Sequence, residues 1–150
     1  MSICERPEYL PREPRTNMIK LLLVEGEPSV RKGLRMRLAA EPDVTIVGEA
    51  ADGKAALAQT RKLRPDVVLM DIEMRRLDGA ATTKAIHAIC SHIAVIMLTI
   101  HDDDATRAQA KAAGAVACIT KRGQNDKLLA AIRQAAGGGA TQNSSNPVAN

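Results

Sequence analysis

Short apolar runs that alternate with stretches of helical period leave this chain few architectures, and the pattern is clearest over residues 65–79. There the run 67–70, Val-Val-Leu-Met, has the length and β-branched content of a strand buried on both faces, and it stops at a carboxylate, Asp71. A short polar loop follows, closes on the turn signal Asp78-Gly79, and leads into the Ala-rich segment 80–91, which reads as a helix. The unit is strand, acid, loop, helix. In parallel α/β sheets ligands bind in the crevice beyond the carboxyl ends of the strands, so an acid at that point is a functional candidate. Read alone, the stretch equally allows Asp71 as a simple loop cap.

The same alternation runs through the rest of the chain. Residues 19–25 form a first strand in which Leu21, Leu22, Leu23 and Val24 are unbroken by polar residues. Pro28 suits the first position of a helix, where its missing N–H costs nothing, and Val30, Leu34 and Leu38 follow at four-residue spacing until Glu41-Pro42. Residues 44–50 alternate more, as a strand at a sheet edge does, and Asp52-Gly53 turns the chain into a helix over 54–64 that Pro65 stops. Beyond the helix 80–91 come a strand over 93–99 and a helix over 103–113, opened by Asp102, Asp103 and Asp104 and closed by Gly114. A strand over 116–120 and a helix over 124–136, with Leu128, Leu129, Ile132 and Ala136 on one face, complete the series.

Five strands alternating with five helices specify βαβ units with right-handed crossovers, and hence a parallel sheet covered on both faces. The expected fold is a flavodoxin-like three-layer α/β sandwich of strand order 2-1-3-4-5, with its switch point between the first and third strands. Glu25, with Gly26 and Glu27, then follows strand 1, Asp71 strand 3, Thr99 strand 4 and Lys121 strand 5, and all four ends open on one edge. Two carboxylates, a hydroxyl and an ammonium converging there suit a phosphoryl group with Mg2+: acids hold the metal, while the lysine and the hydroxyl meet the phosphoryl oxygens. No G-x-G-x-x-G follows strand 1 and no G-x-x-x-x-G-K-[ST] occurs anywhere, which argues against a nucleotide.

Composition bounds the remaining possibilities. With 150 residues the chain holds one domain of ordinary size, and with one Tyr and no Phe or Trp its core must be aliphatic. The same shortage argues against single-stranded nucleic acid, whose bases need stacking platforms. The net charge is +4, and the basic cluster Arg31, Lys32, Arg35 and Arg37 reads as a solvated helix face, with a docking surface for an acidic partner as the lesser reading. Cys4, Cys90 and Cys118 are odd in number and scattered, as free thiols of a reducing compartment are. His87, Cys90 and His92 straddle a helix end without a paired Cys-x-x-Cys and make a poor zinc site. No apolar stretch reaches the roughly 18 residues of a membrane span. Residues before the first strand carry Pro7, Pro11 and Pro14 among alternating charges and lack the apolar centre of a signal peptide. The expected organisation is a flexible arm over 1–18, one folded domain over 19–136, and a Gly-, Asn-, Ser- and Thr-rich tail or linker over 137–150, in the cytoplasm.

Residues 19–136 resemble the receiver domain of bacterial two-component response regulators. The resemblance rests on Glu25-Gly26-Glu27 after strand 1, Asp71-Ile72-Glu73-Met74 with Asp78-Gly79, Leu98-Thr99, and Gly114-Ala115 leading to Lys121. The run Leu-Thr-Ile-His-Asp-Asp at 98–103 is similar to the subgroup whose receivers precede a helix-turn-helix DNA-binding domain. The resemblance implies that Asp71 accepts a phosphoryl group from a sensor histidine kinase or phosphotransfer protein, that Thr99 moves toward the phosphoryl oxygens and that Lys121 pairs with them. It implies a weak Mg2+ site on Glu25, Asp71 and the backbone carbonyl of Glu73. It also implies a homodimer through helix 4, strand 5 and helix 5, where Arg107, Lys111, Lys127 and Arg133 would meet the acids at 102–104. A domain of this kind catalyses at most its own phosphorylation and dephosphorylation, and DNA binding by residues 1–150 themselves is not expected.

Three positions depart from the family pattern. Gly26 stands where a second acid usually binds the metal directly, Arg75 where a proline usually follows Met74, and Cys118 where an aromatic residue usually reports the switch by turning inward. Asp71, Thr99 and Lys121 support a phosphoaccepting receiver. The departures support a pseudo-receiver, a binding module of the same fold that works without phosphate.

Overall fold

A computed structural model of the chain describes residues 18–72, 79–121 and 125–137. Residues 1–17 of the expected arm and 138–150 of the expected tail, and Glu73, Arg75 and Asp78, lie outside the described residues. Five strands, β1 (Ile19–Val24), β2 (Val44–Ala50), β3 (Val67–Asp71), β4 (Ala94–Thr99) and β5 (Ala117–Thr120), pair in parallel in the order β2-β1-β3-β4-β5. Between and after them lie α1 (Pro28–Ala39), α2 (Gly53–Leu63), α3 (Gly79–Ile89), α4 (Asp104–Ala113) and α5 (Asn125–Ala136). Element ends differ from those read off the sequence by a residue or two, which is the scale on which helix and strand ends fray.

The continuous apolar runs are explained by where alternate side chains go. Leu21, Leu23, Val67, Leu69, Ile96 and Leu98 pack with Leu34 and Leu38 of α1 and Leu128 and Ile132 of α5. Leu22, Val24, Val68, Met70 and Val95 point to the other face, against Ala56 of α2 and Ile86 of α3. Met97 packs on that second side with Ala110 and Ala113 of α4. Each leucine withdrawn from water in this way contributes about 1.5–3 kcal/mol. β2, paired on one side only, is half-buried between Val44 and Ala50, in line with its alternating sequence, and its register on β1 shifts between Leu21 and Leu22.

Local chemistry sets the helix ends. Asp52 accepts the Ala55 N–H at 2.8 Å and Asp103 the Thr106 N–H at 2.7 Å, so both helices begin with a side-chain cap. Gly114 ends α4 at φ 106°, a left-handed conformation that suits glycine. Arg64 ends α2 in the same region, at φ 49°, because the following Pro65 disfavours a further α-helical residue.

Two readings need correction. Cys118 is a free thiol, but Cys90 is disulfide-bonded; scatter along a sequence carries no information about proximity in space. Arg133, expected on the surface shared with α4 and β5, instead donates from Nε to Asp43 Oδ2 at 2.8 Å and from Nη2 to Glu41 Oε1 at 2.8 Å. It ties α5 to the segment before β2. No helix among the described residues is long and apolar enough to cross a membrane.

Candidate functional site: an acidic centre bridged by a lysine

β1, β3, β4 and β5 lie side by side at about 4.8 Å per strand, so their carboxyl ends place Glu25, Asp71, Thr99 and Lys121 along one edge. Main-chain bonds pin those ends: Glu25 N–H donates to Ala50 O at 2.9 Å, Ile72 N–H to Leu98 O at 2.9 Å, and Lys121 N–H to Thr99 O at 2.7 Å. β5 is two strands from β3, a gap of about 10 Å that a lysine can reach back across. Its Nζ stands 3.1 Å from Asp71 Oδ2 and 3.0 Å from Glu25 Oε1. One ammonium bridges two carboxylates.

Glu25 is fully buried, and its Oε2 accepts the Glu27 N–H at 3.0 Å. Oε1 receives no well-aligned hydrogen bond, so its 3.0 Å contact with Lys121 is chiefly electrostatic. Burial holds the Glu25 carboxyl above its ordinary value of 4.5; the Glu27 N–H and Lys121 oppose that rise and the charge of Asp71 adds to it. Burial alone would lower the ammonium of Lys121, but its pairing with Glu25 and the charge of Asp71 prevail and raise it above the ordinary 10.5. The lysine stays charged while the two acids share it.

Arg31 and Arg35 were read as part of a solvated face, and the structure gives them a role in this centre. Arg31 Nη1 donates to the Glu25 carbonyl at 2.7 Å, and its Nε lies 3.3 Å from Glu49 Oε1, which also pairs with Arg35 at 3.0 Å. They fasten α1 and the acidic loop to β2. The signal was spacing: Arg31 falls in the first turn of a helix that begins at Pro28, directly after the acid.

Gly79 is the other residue whose reason the sequence did not disclose. A Cβ there would meet Ile72 Cα at 2.6 Å and the Asp71 carbonyl oxygen at 2.7 Å, and its N–H donates to Ile72 O at 3.0 Å. The first turn of α3 therefore rests on the main chain of the acid. Thr99 is buried at the end of β4, and its Oγ1 accepts the His101 N–H at 2.9 Å, so in this state the hydroxyl serves the turn after β4.

The described donors do not by themselves make a Mg2+ site. Glu25 and Asp71 are already spanned by Lys121, and Arg31 adds a second positive charge at the Glu25 carbonyl. Gly26 offers no carboxylate, and a Cβ there would press to 3.2 Å on the Ala51 carbonyl oxygen. Among the described residues no group of three or more His, Cys, Asp or Glu could hold a metal ion. As for the weighed zinc ligands, His87 Nε2 sits 3.0 Å from the Ile93 carbonyl, and Cys90 is in its disulfide. A cavity of about 520 Å³, lined in part by His87, His92, Val116 and Gln134, lies at the opposite ends of β4 and β5 and is separate from the acidic centre.

The geometry can be set beside known proteins. A family model described as the response regulator receiver domain matches residues 21–133. The transcriptional regulatory protein LiaR of Bacillus subtilis is 37% identical over 121 residues, covering 81% of this chain and 57% of LiaR. The response regulator protein VraR of Staphylococcus aureus is 35% identical over 120 residues, 80% of this chain and 57% of VraR. The chain thus spans little more than half the length of these relatives. Among solved structures, the signal receiver domain of the response regulator NarL from Mycobacterium tuberculosis superposes with a TM-score of 0.74 at 29% identity, covering 81% of this chain and 98% of that one. A two-component response regulator of the LuxR family from Aurantimonas gives 0.77 at 29% identity, covering 80% and 86%. Domains of this kind generally bind Mg2+ at their acidic site and interact with histidine kinases, often as dimers. With the match running through all five strands and the acid, hydroxyl and lysine at their ends, the chain belongs to the response regulator receiver domain family of two-component signalling.

Proposed function

We propose that Asp71 accepts a phosphoryl group at this edge and that the new charge alters the surface offered by α4, β5 and α5. The observation that supports the reading is the ammonium of Lys121, 3.1 Å from Asp71 Oδ2, a cation within reach of a group attached to that carboxylate. A carboxylate needs no base to act as nucleophile: an Asp71 oxygen attacks phosphorus, the new O–P bond forms, and the leaving group departs with the electron pair of the bond that breaks. Thr99 Oγ1 accepts the His101 N–H and keeps its own O–H to donate to a phosphoryl oxygen, so a move of Thr99 toward Asp71 would draw on the turn between β4 and α4. The donor is a sensor histidine kinase or phosphotransfer protein, in the cytoplasm. Any Mg2+ is held weakly, by Glu25, Asp71 and the carbonyl of Glu73, because Gly26 supplies no acid. Incubating the chain with acetyl phosphate and measuring its intact mass tests the assignment: an adduct of about 80 Da forms on the wild type and is absent from Asp71→Asn.

A second reading has its own observations. Lys121 already spans both acids, and Cys118 replaces the aromatic residue that would report a switch. A pseudo-receiver of this fold would bind its protein partner without phosphate, and a chain that takes no adduct yet associates fully would establish it.

A further inference from the structure

We infer that Lys121 is the resident cation of the acidic centre and takes the place of a divalent metal, so that Asp71 accepts a phosphoryl group without Mg2+. The inference rests on Asp71 being the acceptor, and goes beyond it to what neutralises the reaction's charge.

Four observations converge. Nζ of Lys121 lies 3.0 Å from Glu25 Oε1 and 3.1 Å from Asp71 Oδ2, so it occupies the gap that a metal bound to both acids would fill. The rest of Glu25 is committed: Oε2 accepts the Glu27 N–H and the carbonyl accepts from Arg31. The Glu25 carboxylate cannot turn without breaking its bond to the Glu27 N–H, and its carbonyl already faces the Arg31 guanidinium. Gly26 contributes no acid, and its backbone is seated against the Ala51 carbonyl. Finally, a dication would face the fixed ammonium of Lys121 across both acids, with the Arg31 guanidinium on the Glu25 carbonyl beside it. To admit Mg2+, Lys121 would have to leave a largely buried place for solvent.

The reaction does not require it to leave. With acetyl phosphate, an Asp71 carboxylate oxygen bonds to phosphorus, the bond from phosphorus to the acetate oxygen breaks, and acetate departs with its electron pair; no proton changes hands. Lys121 Nζ needs only to pass from a carboxylate oxygen to the phosphoryl oxygens attached to it, while Glu25 holds the other side of the ammonium.

Two measurements on the full chain decide the matter. Calorimetric titration with Mg2+, and separately with Mn2+, should show no saturable binding by the wild type below about 10 mM. Lys121→Gln should bind Mn2+ at least about tenfold more tightly than the wild type, and Glu25→Gln in that background should abolish the gain. Adduct formation from acetyl phosphate should proceed in EDTA within about threefold of its rate in Mg2+. Saturable Mg2+ binding by the wild type at about 1 mM or less, lost in Glu25→Gln, overturns the inference without recourse to any lysine variant. An adduct on Asp71 that forms only with Mg2+ also overturns it, while leaving Asp71 as the acceptor. No adduct under either condition defeats the acceptor assignment and this inference with it.

Discussion

Two glycines show how differently the same deletion of a side chain can matter. At Gly79 an added Cβ would run into main-chain atoms, Ile72 Cα at 2.6 Å and the Asp71 oxygen at 2.7 Å, and main chain cannot rotate out of the way. Gly79→Ala should therefore destabilise the fold by about 1–3 kcal/mol in urea unfolding and slow adduct formation at Asp71, whose carbonyl must move. At Gly33, inside α1, nothing lies within 4 Å of the same atom. Gly33→Ala should stabilise by roughly 0.5–1 kcal/mol, because only the entropic cost of glycine in a helix is removed. If both substitutions behave alike, the packing of α3 on the acid is not as described. Gly26→Asp is the complementary case: the Ala51 carbonyl at 3.2 Å must yield by a few tenths of an ångström, and an acid is added at the position directly after Glu25. If that acid comes within about 4 Å of a cation, at an effective dielectric near 20 it adds on the order of 4 kcal/mol of attraction per unit charge before desolvation, so saturable Mg2+ binding should appear in this variant where the wild type shows none.

Arg133 fixes how α5 sits, and it does so through charge. Its guanidinium grips Asp43 with both oxygens, at 2.8 and 3.0 Å, and reaches Glu41 as well. That grip holds Asp43 below its ordinary value of 3.8. A carboxyl whose folded-state value is depressed stabilises the fold above its unfolded value and loses that contribution as pH falls through the folded one. The urea midpoint of Arg133→Gln should accordingly lie below the wild type at pH 7, and the two should converge as pH falls below the ordinary carboxyl range. A gap that persists in acid would assign the effect to packing of the arginine stem. The same residue marks what a one-dimensional reading misses. Asp52 and Asp103 were readable as helix caps because a cap is local, three residues from its donor. The strand ends Asp71, Thr99 and Lys121 were readable because a parallel sheet collects them whatever the loops do. Arg133 with Asp43, and Arg31 with Glu25, join segments on different elements, so no period or spacing along one element announces them. The left-handed Arg64 was hidden for a different reason: Pro65 signals that a helix stops but not the conformation in which it does so.

For the molecule as a whole, the open question is which surface answers to the acid. Specific DNA binding is not expected of this chain at physiological salt: its net charge is only +4 and it lacks an aromatic platform, so gel-shift titrations should show at most weak, salt-sensitive association. The pairing surface is expected on α4, β5 and α5. β5 is an edge strand whose four residues are all half-buried, Val116 directly before it is 57% exposed, and Ile100 at the other end of β4 is 50% exposed. Arg107 of α4 is paired with Asp102 and Lys111 is exposed, so this side combines apolar and charged groups as a reversible interface requires. Arg133 belongs to the opposite flank of α5, committed to Glu41 and Asp43. Sedimentation velocity with acetyl phosphate should then show the dimer fraction of the wild type rising and that of Asp71→Asn staying flat. Val116→Glu and Lys111→Glu should each suppress the rise, since one sets a charge in an apolar contact and the other reverses a charge on the same face. Arg133→Gln, less stable but folded at neutral pH, should dimerise as the wild type does. Loss of the dimer in Arg133→Gln with its retention in Val116→Glu would move the interface to the flank formed by α1, β2 and α5.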